Sequence, residues 1–107
     1  MTIKSNMTKK TLDLLEEITG GPLSLGGLMK SIRLSDELTQ VEFAKQLKIS
    51  KQHLCDIERG RKYVSPKLAS QYADKLGYSQ KQFIRLALQD ELNRSGLHFE
   101  VEIKKAA

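Results

Sequence analysis

Lys51, Gln52 and His53 stand in a row directly behind Ser50, and Asp56 lies one helical turn beyond Gln52. A glutamine amide presents one donor and one acceptor, the pattern that matches N7 and N6 of adenine. The Lys51 ammonium suits a guanine edge or a phosphate, and His53 suits a phosphate or a base. Asp56 is less clear-cut: a carboxylate repels phosphates, yet it can accept from cytosine N4 or pair with a neighbouring Lys or Arg. Arg59, Arg61 and Lys62 follow at once, either as cations over a phosphate backbone or as an ordinary solvated loop. The chemistry these types could do is hydrogen-bonded reading of base edges beside charge neutralisation of phosphates.

Other chemistries fit worse. His53 and Cys55 are two apart, so on a helix they point about 200° from each other and do not chelate one metal together. His98 is distant and there is no second cysteine. No nucleophile–base pair is evident, so the chain is expected not to be an enzyme and to need no cofactor or metal. Arg94, Ser95 and Glu100 are the nearest thing to a catalytic set, in a tail much shorter than the catalytic domain of cyanase-type enzymes.

The reading residues need a helix to carry them and a second helix to hold it. Residues 38 to 60, LTQVEFAKQLKISKQHLCDIERG, have the pattern for both. Thr39 and Ser50 are N-cap residues whose hydroxyls accept from first-turn N–H groups. Phe43, Ala44 and Leu47 make one apolar stripe, and Leu54 and Ile57 another. Small Ala44 permits close approach of the pair. Lys51 and Gln52 then fall in the first turn of the second helix, the part that meets base edges when such a helix enters the major groove. Cys55 is either a face residue or a core filler.

The run Arg33, Leu38-Thr39-Gln40, Phe43-Ala44, Leu47, Ile49-Ser50, Leu54 and Ile57-Glu58-Arg59-Gly60 resembles the Xre/Cro-type helix-turn-helix family over roughly residues 25 to 78. The resemblance implies a lambda-repressor-like, all-α domain of five helices. It implies that Gln40 clamps a phosphate, and that Arg33 and Glu58 form a partly buried ion pair locking the first helix to the reading helix. The expected base-reading set is Lys51, Gln52, His53 and Asp56; the expected phosphate set is Gln40, Ser50, Arg59, Arg61 and Lys62. The chain departs from the family in one place. The family's proline comes about four residues after the Gly60 position, whereas Pro66 comes six after it, so the loop with Arg61, Lys62 and Tyr63 is longer.

The rest of the chain supplies support. Thr8 to Thr19 reads as an extra amphipathic helix with Leu12, Leu15 and Ile18 on one face, closed by Gly20-Gly21-Pro22. Ser24 caps a helix using Leu25, Leu28, Met29, Ile32 and Leu34. Ser65 and Pro66 start another, with Leu68, Ala69, Tyr72, Ala73 and Leu76 inward and Gly77 at its end. Ser79 starts the last, using Phe83, Ile84, Ala87, Leu88 and Leu92, closed by Gly96. Beyond it Leu97, Phe99, Val101 and Ile103 alternate with polar residues, which is strand periodicity. That segment either lies on the helical domain or pairs as a β-strand, through Phe99, Val101 and Ile103, with a symmetry mate or another protein. The expected organisation is thus an N-terminal extension (1–22), a DNA-binding domain (23–96) and a C-terminal strand (97–107).

Composition agrees with this reading. A chain of 107 residues allows one domain and a modest core. There is no apolar run for a membrane span and no signal-peptide core, and the single cysteine fits a reducing cytoplasm. The net charge of +5 is uneven: residues 39–64 hold six Lys/Arg and three acids, while residues 1–38 hold five of each. A basic excess on the proposed reading side is what a phosphate-binding surface requires.

The expected function is a small sequence-specific regulator of double-stranded DNA, working as a homodimer on a palindromic operator. Its size and two extensions resemble the antitoxin members of the family, which repress their own operon and bind a cognate toxin. A stand-alone or phage-type repressor and a protein-binding module without specific DNA readout are the alternatives.

Overall fold

The structure, a computed structural model, describes residues 23–106. The expected helix at Thr8 to Thr19 and the rest of the N-terminal extension lie outside the described residues. Five helices follow one another: α1 (Leu25–Ser35), α2 (Gln40–Leu47), α3 (Lys51–Glu58), α4 (Pro66–Leu76) and α5 (Gln80–Arg94). Each begins on a hydroxyl cap. Ser24, Thr39, Ser50, Ser65 and Ser79 accept from the backbone N–H of Gly27, Glu42, His53, Leu68 and Gln82. These bonds satisfy donors that have no partner inside the helix. Thr39 and Glu42 form a reciprocal capping box, and Pro66 occupies the first turn of α4, where its missing N–H is not needed.

The α2–α3 turn is tight. Lys48 sits in the left-handed region at φ 59°, and the Ile49 N–H donates to the Ala44 carbonyl at 3.0 Å. This closes α2 with the bond pattern that usually employs glycine. The end of α4 is also left-handed and uses Gly77 at φ 76°, as its type favours.

One apolar core joins all five helices. Leu28, Met29, Phe43, Leu47, Leu54, Ile57, Ala69, Ala73, Phe83 and Leu86 are its buried centre. Burying the Leu, Ile, Met and Phe side chains among them stabilises by roughly 1.5–3 kcal/mol each. The pairing of α4 with α5 is the most extensive, while α3 rests on both α1 and α2. Six positions depart from the sequence expectation. Leu34 and Leu68 are exposed, Ile84, Leu88 and Leu92 are half-buried, and Leu86 takes the central place in α5. For the four positions in α5 the reason lies in that helix, which is covered on two sides and so has no single apolar stripe. Phe83, Leu86, Ala87 and Asp90 face the helices; Gln82, Arg85 and Gln89 face the tail.

The tail corrects one expectation. Among the described residues there is no β-strand. Residues 97–106 are irregular and rest on α5, where the Gln89 amide donates to the Phe99 carbonyl (2.7 Å) and accepts from the Val101 N–H (2.8 Å). The alternation survives in part, since Val101 and Ile103 are half-buried while Phe99 is 69% exposed. A strand is defined by its ladder, and here a side-chain amide takes the place of one rung. With no second strand in the described chain, the period has nothing to pair with.

Candidate nucleic-acid interface

The reading helix α3 is only eight residues long. An isolated helix of that length is marginal in water, so its geometry must come from its neighbours. Its inner face is fixed by Leu54 and Ile57, both essentially fully buried. Its C-terminal end is held unusually close to α1. A Cβ placed on Gly26 would stand 2.1 Å from the Ile57 carbonyl oxygen, so only glycine permits this approach.

Glu58 supplies the next restraint. It accepts from Arg33 Nε at 2.8 Å and Nη2 at 3.0 Å, a two-pronged pair, and from Gln40 Nε2 at 3.1 Å. Arg33 Nη1 also donates to the Leu38 carbonyl at 3.0 Å. The side chains of Arg33 and Glu58 are 11% and 2% exposed, so the carboxylate is withdrawn from water and fully occupied. The hydrogen bond to Glu58 raises the Arg33 pKa above its already high ordinary value, against the opposing effect of burial. The network therefore ties α1, the start of α2 and the end of α3 together. Gln40, singled out for a phosphate, is half-buried and has its amide nitrogen engaged in donating to Glu58 Oε1.

On the outer face of α3, Lys51 and Gln52 are exposed in the first turn, and His53 is half-buried beside them. Ser50 is engaged as the cap, accepting from the His53 N–H at 3.0 Å. Cys55 is half-buried and carries a free thiol. Asp56 turns out to be occupied: its Oδ1 accepts from Gln52 Nε2 at 3.1 Å and lies 3.6 Å from Arg61 Nη1. Of its two readings from the sequence, the cation pair is the one present in the free protein.

The longer loop is well anchored. Arg61 N–H and Lys62 N–H both donate to the Asp56 carbonyl, at 2.8 and 3.2 Å. Tyr63 lies beneath the Arg94 guanidinium, whose carbon is 3.6 Å from the ring centre. Arg59, Arg61 and Lys62 are all exposed. Lys51 and Gln52 thus share one side of the molecule's reading helix with a cationic loop bonded back onto that same helix.

Sequence reasoning missed several supports. Lys75 Nζ donates to the Leu47 carbonyl at 3.2 Å and ties α4 to the end of α2. Asp90 of α5 accepts from the Leu25 N–H at 3.0 Å, pinning the start of α1. Burial raises the Asp90 pKa; the bond from Leu25 and the nearby Arg94 charge oppose that shift. The Gly26-Gly27 pair at the head of an apolar stripe was the one visible signal of the close α1–α3 contact.

This arrangement, a buried-faced short helix with polar first-turn residues outward and a second helix packed across it, is that of a helix-turn-helix DNA-binding domain. The family model described as helix-turn-helix matches residues 29–82. The chain belongs to this Xre/Cro-like helix-turn-helix family of DNA-binding regulators. The match runs from the middle of α1 into the start of α5 and so includes the Arg33–Glu58 pair and the whole of α2 and α3. No curated protein and no solved structure matches the chain. Among the described residues, no helix is long and apolar enough to cross a membrane.

Proposed function

We propose that the protein is a sequence-specific transcriptional repressor that binds double-stranded DNA as a homodimer, with α3 of each subunit in a major groove. The observation that carries this reading is the two-sidedness of α3: Leu54 and Ile57 are buried and the helix end is locked, while Lys51 and Gln52 stand exposed in its first turn. In this reading Lys51, Gln52 and His53 meet base edges. Ser50, Arg59, Arg61, Lys62 and the α2 start at Gln40 meet phosphates. Two half-sites then lie about one helical turn apart, mirroring the two-fold axis of the dimer. The protein acts by binding in the cytoplasm and catalyses no reaction.

Within this class we favour an antitoxin that represses its own operon and binds a cognate toxin. The feature in favour is the tail, which rests on α5 with Phe99 exposed and offers a surface for a symmetry mate or a second protein. Co-expression with the product of the neighbouring gene tests it: a stable complex lost on deleting residues 97–107 supports the antitoxin role, and no complex leaves a stand-alone repressor.

The primary test is fluorescence anisotropy on the DNA upstream of the coding region, beside scrambled DNA. Gln52→Ala is expected to weaken cognate binding by roughly 1–3 kcal/mol and to relax specificity at one base pair. Lys62→Ala is expected to flatten the salt slope by about one unit with specificity kept. Equal, weak, salt-sensitive binding to both DNAs by the unaltered protein refutes the sequence-specific reading.

A further inference from the structure

Asp56 occupies an odd place for a DNA-facing helix. A carboxylate there works against phosphate binding, yet its side chain is only 17% exposed and is held on both sides. It accepts from Gln52 Nε2 at 3.1 Å and faces Arg61 Nη1 at 3.6 Å. Its backbone carbonyl accepts from Arg61 and Lys62. One residue thus holds both the exposed glutamine of the first turn and the root of the cationic loop.

We propose that Asp56 is the specificity-setting residue of this interface: it does not read a base but restricts Gln52 to adenine and holds back Arg61 until a phosphate replaces it. The inference rests on the reading of α3 as a base-reading helix. Its first half follows from donor counting. A free glutamine amide has two N–H donors and one acceptor oxygen. Guanine shows two acceptors in the major groove, O6 and N7, and a free N–H₂ group can serve both. Adenine shows one acceptor and one donor. A carboxylate can only accept, so Asp56 fixes which end of the amide is N–H₂ and takes one of its two donors. One donor and one acceptor remain, the adenine pattern. Holding the side chain beforehand also lowers the ordering entropy of binding.

The second half follows from charge. Arg61 is 59% exposed and its contact with Asp56 is long, so the pair exchanges readily for a phosphate. Until it does, the carboxylate offsets one cation of the loop and weakens binding to any DNA. The arrangement gives up general affinity and gains discrimination, since specificity is a difference of affinities and not a sum of attractions.

Two substitutions separate these effects. Asp56→Asn keeps an acceptor oxygen for Gln52 but loses the charge; Asp56→Ala loses both. Sites are first selected from random duplexes with the unaltered protein and with Gln52→Ala, which locates the base pair that Gln52 reads. Anisotropy across a salt series then follows each variant on that site and on its A-to-G counterpart. Asp56→Asn is expected to bind all duplexes several-fold more tightly at low salt, with the adenine preference kept. Asp56→Ala is expected to share the tighter binding but to lose roughly tenfold of its adenine-over-guanine preference at the Gln52 position. If Gln52→Ala alters one base pair and Asp56→Ala keeps the full preference there, this inference fails and the regulator reading stands. If the unaltered protein selects no sequence, both fall.

Discussion

Replacing Glu58 by alanine removes three hydrogen bonds at once, two from Arg33 and one from Gln40. What remains is a guanidinium that is 11% exposed, with the Leu38 carbonyl as its surviving acceptor. Breaking a buried ion pair from one side destabilises by about 3–5 kcal/mol, because it leaves a charge without compensation. Arg33 keeps a sliver of solvent and one carbonyl, so the lower end, about 3 kcal/mol, is the expected loss. Removing both charges, as Arg33→Met with Glu58→Met, leaves no stranded charge and is expected to recover about 2 kcal/mol of that loss.

Urea unfolding followed by circular dichroism measures both variants, with the slope m checked for constancy so that the midpoint shift reports stability. The loss should be independent of pH from about 5 to 9. Arg33 has a raised pKa in the folded state, so its contribution is complete below the arginine range and disappears only as pH rises through the folded value, far above that window. It should also persist in high salt, which screens exposed pairs far more than buried ones. If the double variant is no more stable than Glu58→Ala, the two residues are not coupled and the locking argument fails. DNA binding gives a second reading: the double variant regains stability but not the tie to Gln40, so its affinity should stay below that of the unaltered protein.

Gly26→Ala places a methyl group against the Ile57 carbonyl at 2.1 Å, so α1 and α3 must separate; we expect a loss of about 2 kcal/mol by urea unfolding, together with weaker DNA binding. Asp90 has a pKa raised by burial, so folding favours its protonated form and its penalty appears as pH rises from the unfolded value of about 4 through the folded one. Asp90→Asn keeps an acceptor for the Leu25 N–H, and melting curves should show it gaining on the unaltered protein toward neutral pH and losing that gain in acid. Thr39→Ala removes half of the capping box and should destabilise by about 1 kcal/mol near neutral pH. Glu42, whose pKa is lowered by its bonds with Thr39, contributes above its unfolded pKa and ceases to as pH falls through the folded value, so the effect of Thr39→Ala should shrink in acid.

What the sequence made legible was whatever chemistry is local. The five hydroxyl caps could be placed because capping is decided within a single turn, by a residue and the N–H groups beside it. The Leu54 and Ile57 stripe is likewise a matter of helical period. The Arg33–Glu58 contact spans 25 positions and came from family resemblance, not from spacing. Long-range features without such a pattern stayed hidden. Asp90 gave no sign of reaching Leu25, since any of several carboxylates could have done so. Leu86 was passed over because α5 is covered on two faces, which leaves its sequence without one dominant apolar side. The tail failed for a different reason. Alternation fixes which residues face together but says nothing of what lies on the other side, and in this chain it is α5 and Gln89.

The restraints on α3 have one consequence in common. A helix of eight residues would spend much of its time frayed if left alone, and a frayed reader must be ordered by its target. Here the helix is held at each level. Ser50 closes its first turn, Leu54 and Ile57 anchor its inner face, Gly26 admits its end to the backbone of α1, and Glu58 bonds that end to two other helices. The loop that follows is bonded back to the Asp56 carbonyl. Little backbone order is left for DNA to supply, so in the proposed reading the interaction energy of Lys51 and Gln52 with base edges would not be consumed in building the surface that carries them. In the proposed reading, a domain this small has the means to discriminate between sequences because its short helix α3 is already held by α1 and α2.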